Sequence, residues 1–145
     1  SVKYMFVEFD ETKYPVVRVN FSGVIRNEND FNEFTNKWIE LYSRKSKFTF
    51  IFDTRNMGMM GPKYCFKMAT FIKNLKKRPV QYLEKSIIIV SHRYIRLLLW
   101  LIFSIQKPVA PVYITDIHQE IFINMLNDNI QQGLNIPDCI QIVKP

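Results

Sequence analysis

The stretch KFTFIFD, residues 47–53, is a continuous run of aromatic and β-branched residues that ends in an aspartate. A run without polar alternation is typical of a strand that is buried on both faces of a parallel sheet. SIIIV, residues 86–90, has the same character. Two such strands with helical sequence between them predict an α/β fold.

The flanking sequence extends this pattern in both directions. Residues 2–9 and 15–21 are rich in Val, Tyr and Phe and predict an antiparallel pair of strands joined by a polar turn. Downstream, segments with apolar residues at helical spacing alternate with β-prone runs. The predicted strands are 2–9, 15–21, 47–52, 86–90 and 112–115, and the predicted helices begin near 27–30, 62, 94 and 117 and end near 44, 77, 106 and 130.

This order predicts a single α/β domain, residues 1–132, with a mostly parallel five-stranded sheet, an antiparallel leading strand and about four helices. Residues 133–145 form a tail that packs on the domain or extends from it, and its apolar stretch at 139–143 either packs on the domain or pairs at a sheet edge. In the last helix we expect three apolar residues to face inward, joined by Phe122 as a fourth: Ile117, Ile121 and Met125.

Composition supports a folded domain. The chain has 145 residues, of which 48% are hydrophobic and 23% charged, values that exclude a disordered or low-complexity protein. Its two cysteines, Cys65 and Cys139, lie far apart in the sequence and predict neither a disulfide framework nor a zinc site. With no visible signal peptide, we expect a reducing, cytoplasmic location, with peripheral membrane association as an alternative.

The positive charge is concentrated in one part of the chain. Lys and Arg exceed Asp and Glu by 20 − 13 = +7, and residues 54–115 hold eleven basic residues against Glu84. Such a field attracts phosphates, acidic proteins or anionic lipids, and the alternative is an ordinary solvated surface. The candidate partner-binding or anion-binding residues are Arg55, Lys63, Lys67, Lys73, Lys77, Arg78, Arg93 and Arg96.

Residues 97–103 are apolar around the whole circumference of a helix but too few to cross a bilayer. This helix forms a homodimer or partner interface, touches a membrane, covers an apolar ligand pocket, or is buried within its own chain. Three methionines in the loop before the second helix form an adaptable contact surface or fold back over the core. The apolar interface candidates are Leu97, Leu98, Leu99, Trp100, Leu101, Phe103, Met57, Met59 and Met60.

No catalytic motif is present. An enzyme of unfamiliar type would have to use polar groups near the ends of parallel strands, here Asp53, Arg55, His92 and Asp116. His92 and His118 are more typical of surface or capping histidines, and Cys65 of a buried thiol. We therefore predict no catalytic residue, no metal and no cofactor.

The element order, with VNFSGVI before the first helix and FIFDTRNM at the end of the third strand, resembles the SpoIIAA-like or STAS fold. CRAL-TRIO-type lipid-binding domains share this layout. The identities that carry the resemblance are mainly Gly23 and Asp53. In phosphorylatable STAS members a serine precedes the second helix, whereas residues 60–63 here are Met-Gly-Pro-Lys, so the resemblance does not imply that regulation.

The resemblance implies a non-enzymatic module that binds a protein, a nucleotide or a lipid. Together with the charge pattern, it predicts a binding or regulatory module that contacts a protein partner or a second copy of itself. The second hypothesis is a peripheral membrane or lipid-binding domain that uses the basic helix and the apolar helix. Nucleic acid is not expected as a partner, because no recognition motif accompanies the positive charge.

Overall fold

The computed structural model describes residues 5–131 and 141–145. Within them, six strands form one sheet in the order β1 to β6, and four helices pack on it. The strands are β1 (Val7–Asp10), β2 (Val16–Gly23), β3 (Phe48–Met57), β4 (Leu83–Ile89), β5 (Val112–Thr115) and β6 (Gln141–Val143). The helices are α1 (Glu28–Ser43), α2 (Pro62–Leu75), α3 (Arg93–Ile105) and α4 (Glu120–Gln131).

Strands β2 to β5 are parallel, and the edge strands β1 and β6 are antiparallel to their neighbours. The predicted α/β class and antiparallel leading strand are thus confirmed, but the sheet has a sixth strand beyond the predicted five. That strand comes from the end of the chain, because residues 141–143 pair with β5. Residues 133–140 of the predicted tail lie outside the described part of the chain.

The sheet separates two layers of helices. Helices α1, α2 and α3 each connect neighbouring parallel strands, so right-handed crossovers place all three on one face. On β3, Phe48, Phe50 and Phe52 point to this face and join its aromatic core. Ile51 points to the opposite face and packs in the cluster that contains the buried residues of α4.

Strand β3 continues five residues beyond the predicted end at residue 52. Ser22 and Gly23 pair with Asn56 and Met57, so the end of β2 supplies hydrogen-bond partners for the extension. The predicted loop therefore starts at Gly58, whose N–H donates to the Gly23 carbonyl at 2.6 Å. Gly23 adopts a positive φ of 70°, a conformation that glycine takes without strain, and it ends β2.

Helix α4 presents a different face to the sheet from the one predicted. Its buried apolar residues are Ile123, Leu126 and Ile130, spaced by three and four positions. The residues expected to point inward are instead exposed or half-buried: Ile117, Ile121, Phe122 and Met125. The rotation has a physical cause at the start of the helix, where Glu120 bonds to two arginines of the sheet.

Candidate functional site

An ion-pair network joins the sheet to α4. Asp53 Oδ2 accepts hydrogen bonds from Arg18 Nη2 at 2.8 Å and from Arg55 Nη2 at 2.7 Å. Asp53 Oδ1 accepts from the backbone N–H of Arg55 at 3.1 Å and from its Nε at 3.0 Å. Both arginines also donate to Glu120, at 2.6 Å and 2.9 Å. The network therefore holds the start of α4 against β2 and β3.

The carboxylate of Asp53 has few acceptor positions left to bind a ligand or a proton. An ionised carboxylate offers about four acceptor positions, and the hydrogen bonds from Arg18 and Arg55 occupy four. Burial raises the pKa of Asp53, but the hydrogen bonds from the two arginines outweigh burial and leave that pKa below its ordinary value. A carboxylate with a lowered pKa is a weak general base near neutral pH. This geometry favours a structural role for Asp53.

The other polar residues at this end of the sheet only partly converge. His92 Nε2 lies 3.0 Å from the backbone oxygen of Arg55, and the His92 ring stacks on Tyr94 with centroids 5.1 Å apart. The contact of Asp116 with His118 uses its backbone oxygen. Across residues 5–131 and 141–145, no group of three His, Cys, Asp or Glu side chains is placed to hold a metal ion.

The predicted basic residues divide into four groups. Arg55 belongs to the ion-pair network and lies on the α4 side of the sheet. Lys63 and Lys67 both pair with Glu28 of α1, at 2.8 Å and 2.9 Å. Arg78 lies over the ring of Tyr42 at 5.9 Å. The others are exposed on α2, immediately after it, or in the first turn of α3: Lys73, Lys77, Arg93 and Arg96.

The apolar candidates differ in how far they are exposed to solvent. Leu97 and Trp100 are both 64% exposed, whereas the remaining candidates on α3 are half-buried against the core: Leu98, Leu99, Leu101 and Phe103. Of the methionines, Met57 is buried at the end of β3, so it does not form the predicted contact surface. Met60 is half-buried and Met59 is exposed.

Helices α2 and α3 bring the exposed cations and apolar residues onto one surface. The two helices pack directly together through Cys65, Ile72 and Ile102. Both follow parallel strands, so they run in the same direction on the same face of the sheet. We call their solvent-facing residues the outer face; it comprises Phe66, Thr70, Lys73 and Lys77 from α2 and its end, and Arg93, Arg96, Leu97 and Trp100 from α3.

The outer face has one sign of charge. Neither α2 nor α3 contains an Asp or a Glu. Between the cations lie Phe66, 55% exposed, and the more exposed Leu97 and Trp100. No helix among the described residues is both long enough and apolar enough to cross a membrane. The outer face thus sets large apolar side chains among positive charges.

Beneath α2 lies an apolar channel with a volume of about 130 Å³. It lies between the sheet and α1, α2 and α3, and its walls include Phe52, Ile88 and Leu98. Protein interiors are normally packed to the density of organic crystals. Where the channel is unfilled, its lining side chains lack the contacts that close packing would give them.

Several of these residues were not identified from the sequence. Arg18 and Glu120 are separated by 102 positions, and no local pattern joins them. Phe66 had a weak signal, since it is a lone aromatic on the lysine-rich side of its helix. The channel had none, because it arises where the sheet and three helices fail to fill the space between them.

Comparison of the chain with protein-family models, with curated proteins and with solved structures finds no match in any of the three. The function is therefore inferred from the geometry of the outer face, the ion-pair network and the channel.

Proposed function

We propose that this protein is a non-catalytic module that binds the surface of anionic membranes through its outer face. The observation that carries the proposal is the combination of exposed Phe66, Leu97 and Trp100 with cations and without an acid on α2 or α3. Apolar and aromatic side chains enter the interfacial region of a bilayer while neighbouring Lys and Arg contact anionic headgroups.

The expected energies suit reversible binding. Each basic residue near an anionic surface contributes about 1 kcal/mol, so Lys73, Lys77, Arg93 and Arg96 together contribute about 4 kcal/mol at low salt. Full burial of a large apolar side chain contributes about 1.5–3 kcal/mol, and the three on the outer face are already partly covered. Neither contribution alone gives tight binding, so both are needed.

The sequence placed interaction with a protein or with a second copy first; we place membrane binding ahead of self-association, because the charges of the outer face do not suit a two-fold dimer. A two-fold dimer uses the same patch on both subunits. Each copy would therefore place its cations opposite those of the other, with no acid on α2 or α3 to pair with them. Juxtaposed like charges oppose association, whereas an anionic bilayer supplies the missing negative charge.

The test is sedimentation with phosphatidylcholine vesicles that contain or lack phosphatidylserine. The unmodified protein is expected to bind the anionic vesicles, and binding should weaken as salt screens the exposed charges. The double variant Leu97→Ser/Trp100→Ser should bind about tenfold more weakly, equivalent to about 1.4 kcal/mol. Lys73→Glu/Lys77→Glu should abolish the preference for anionic vesicles.

The matched control is Ile121→Ser/Met125→Ser, which removes two exposed apolar residues from α4 on the other side of the sheet. Its binding should equal that of the unmodified protein. Equal loss in the control, or no binding to either vesicle, would overturn the proposal. Light scattering tests the competing hypothesis, which is self-association through the outer face. A concentration-dependent dimer that Leu97→Ser dissociates would assign the outer face to self-association instead.

A further inference from the structure

The residues that line the channel beneath α2 are spread along the strands. Its lining on β4 includes Leu83, Ser86 and Ile88, a span of about 17 Å at the rise of a strand. At the carboxyl ends of the strands it is lined by Met60 and Tyr64, and near the start of β5 by Val109 and Ala110, among others. The space thus follows the strands along much of their length, a shape that suits a long, thin occupant.

The walls do not suit water. Apart from Thr54, Ser86, Tyr64 and the indole N–H of Trp38, which has no hydrogen-bond partner, the side chains that line the channel are apolar. The Thr54 hydroxyl already donates to the Ile89 carbonyl at 2.7 Å. A buried water needs two to four polar partners, and the walls do not offer such a set. Apolar cavities of comparable size bind apolar molecules.

We place the opening of the channel at the carboxyl ends of the strands, where α1 and α2 begin. Here its lining residues are half-buried: Ile25, Phe31, Met60 and Tyr64. The rings of Phe31 and Tyr64 are in contact here, with centroids 6.0 Å apart. This opening is the place where a polar end group of the occupant would meet solvent.

The charges at this opening favour an anionic end group on the occupant. Lys63 and Lys67 lie on α2 beside Tyr64, and both are held by a single carboxylate, that of Glu28. Glu28 and Lys63 are half-exposed, so this pairing is accessible from solvent. Two ammonium groups that already share one carboxylate can accept another in its place or beside it.

We propose that the channel holds the aliphatic chain of a fatty acid, with its carboxylate at Lys63 and Lys67. The chain fills the apolar space, and two lining methionines, Met57 and Met60, adjust to the chain because they are unbranched. The site is separate from the outer face, because the channel lies beneath α2 whereas the residues of the outer face are exposed to solvent. The fatty acid enters the channel as a monomer from solution. It does not depend on membrane binding.

The probes are octanoate, decanoate and dodecanoate, each below its micellar concentration and without vesicles. Binding is followed by calorimetry and by the rise in thermal midpoint that a ligand of the folded state produces. Each probe should bind with saturation, and the affinity should increase by up to about fourfold for each added methylene. Absence of saturable binding, or an affinity independent of chain length, would overturn the proposal.

Two sets of variants locate the ligand. Ser86→Leu adds a side chain inside the channel and should weaken dodecanoate binding by about tenfold. Lys63→Gln/Lys67→Gln should weaken binding of dodecanoate and leave binding of dodecanol, which carries no charge, unchanged. Lys73→Gln/Lys77→Gln is the matched control on the outward side of α2 and should bind both probes normally.

If Ser86→Leu does not fold, the chain-length series and the lysine variants still decide the matter. Leu97→Ser/Trp100→Ser distinguishes this inference from the proposed function. That variant should lose vesicle binding and keep dodecanoate binding. Loss of dodecanoate affinity equal in the two lysine double variants would place the carboxylate elsewhere and contradict the assignment to Lys63 and Lys67.

Discussion

Asp53 is held in place by four hydrogen bonds, which two arginines donate to its buried carboxylate. We expect Asp53→Asn to lower the free energy of unfolding by about 2 kcal/mol, since the amide carries no charge, keeps only one acceptor oxygen and turns an NH₂ donor toward the arginines. Urea unfolding followed by circular dichroism at neutral pH measures the change. Glu33→Gln, at an exposed position of α1, is the control and should change stability by less than about 0.5 kcal/mol.

The same network makes stability depend on pH. Arg18 and Arg55 hold the pKa of Glu120 below its ordinary value by hydrogen bonds, and the pKa of Asp53 is also lowered, despite its burial. A carboxyl with a lowered pKa in the folded state stabilises the fold above its unfolded pKa, and this contribution is lost as pH falls through the folded pKa.

We therefore expect the free energy of unfolding to decrease as pH falls from about 5 to about 3. Asp53→Asn should show a shallower decrease over that window, because one of the carboxyls with a lowered pKa is gone. Urea titrations at a series of pH values give the slopes directly. Parallel curves for the two proteins would show that Asp53 does not contribute to acid sensitivity.

At the residue scale, the sequence predicted features that depend on neighbouring residues and missed contacts between residues that are far apart in the chain. The position of Asp53 at the end of a buried strand was visible, because a short apolar run ends there. Its partner Arg18 lies 35 positions away and became its neighbour only through strand pairing. Local spacing carries no information about such a contact, so the function of this cluster could not be judged from the sequence.

At the scale of elements, α4 offers a direct test of the observed helix orientation. Ile123 is buried, whereas Ile121, two positions earlier, is 68% exposed. We expect Ile123→Ala to cost about 2–4 kcal/mol of unfolding free energy, because it leaves a cavity against the sheet. Ile121→Ala should change stability by less than about 0.5 kcal/mol. The opposite result would restore the helix face that the sequence predicted.

Elements with strong local signals were predicted well. Asn27 caps α1 by accepting a hydrogen bond from the Asp30 N–H at 3.1 Å, and Pro62 begins α2, both as local rules indicate. The extension of β3 depends instead on pairing with the end of β2. The short β6 has three residues and is a strand because β5 offers an edge. Tertiary pairing decided both, and sequence patterns do not report it.

At the scale of the whole molecule, the sheet separates structural from proposed binding features. The ion-pair network and α4 cover one face, while the other face carries the channel and, beyond it, the outer surface of α2 and α3. Helix α2 therefore contributes to both proposed sites. Met68 and Ile72 line the channel, and Phe66 is exposed on the outer face. This arrangement allows the two proposed sites to be examined separately.

The two tryptophans of the chain report on the two sites. Trp100 is exposed on the outer face, whereas Trp38 is buried and lines the channel. In Trp38→Phe, anionic vesicles should shift the emission of Trp100 to shorter wavelengths, because the indole leaves water. In Trp100→Phe, dodecanoate should change the emission of Trp38, because the chain lies against its ring.

The crossed measurements decide whether the sites are independent. Dodecanoate without vesicles should leave the emission of Trp100 unchanged, because that side chain lies outside the channel. Vesicles should leave the emission of Trp38 unchanged, because docking through the outer face does not require the core to open. Circular dichroism confirms that both variants are folded. A response of Trp38 to vesicles alone would contradict independence and indicate that docking changes the packing of α2 over the sheet.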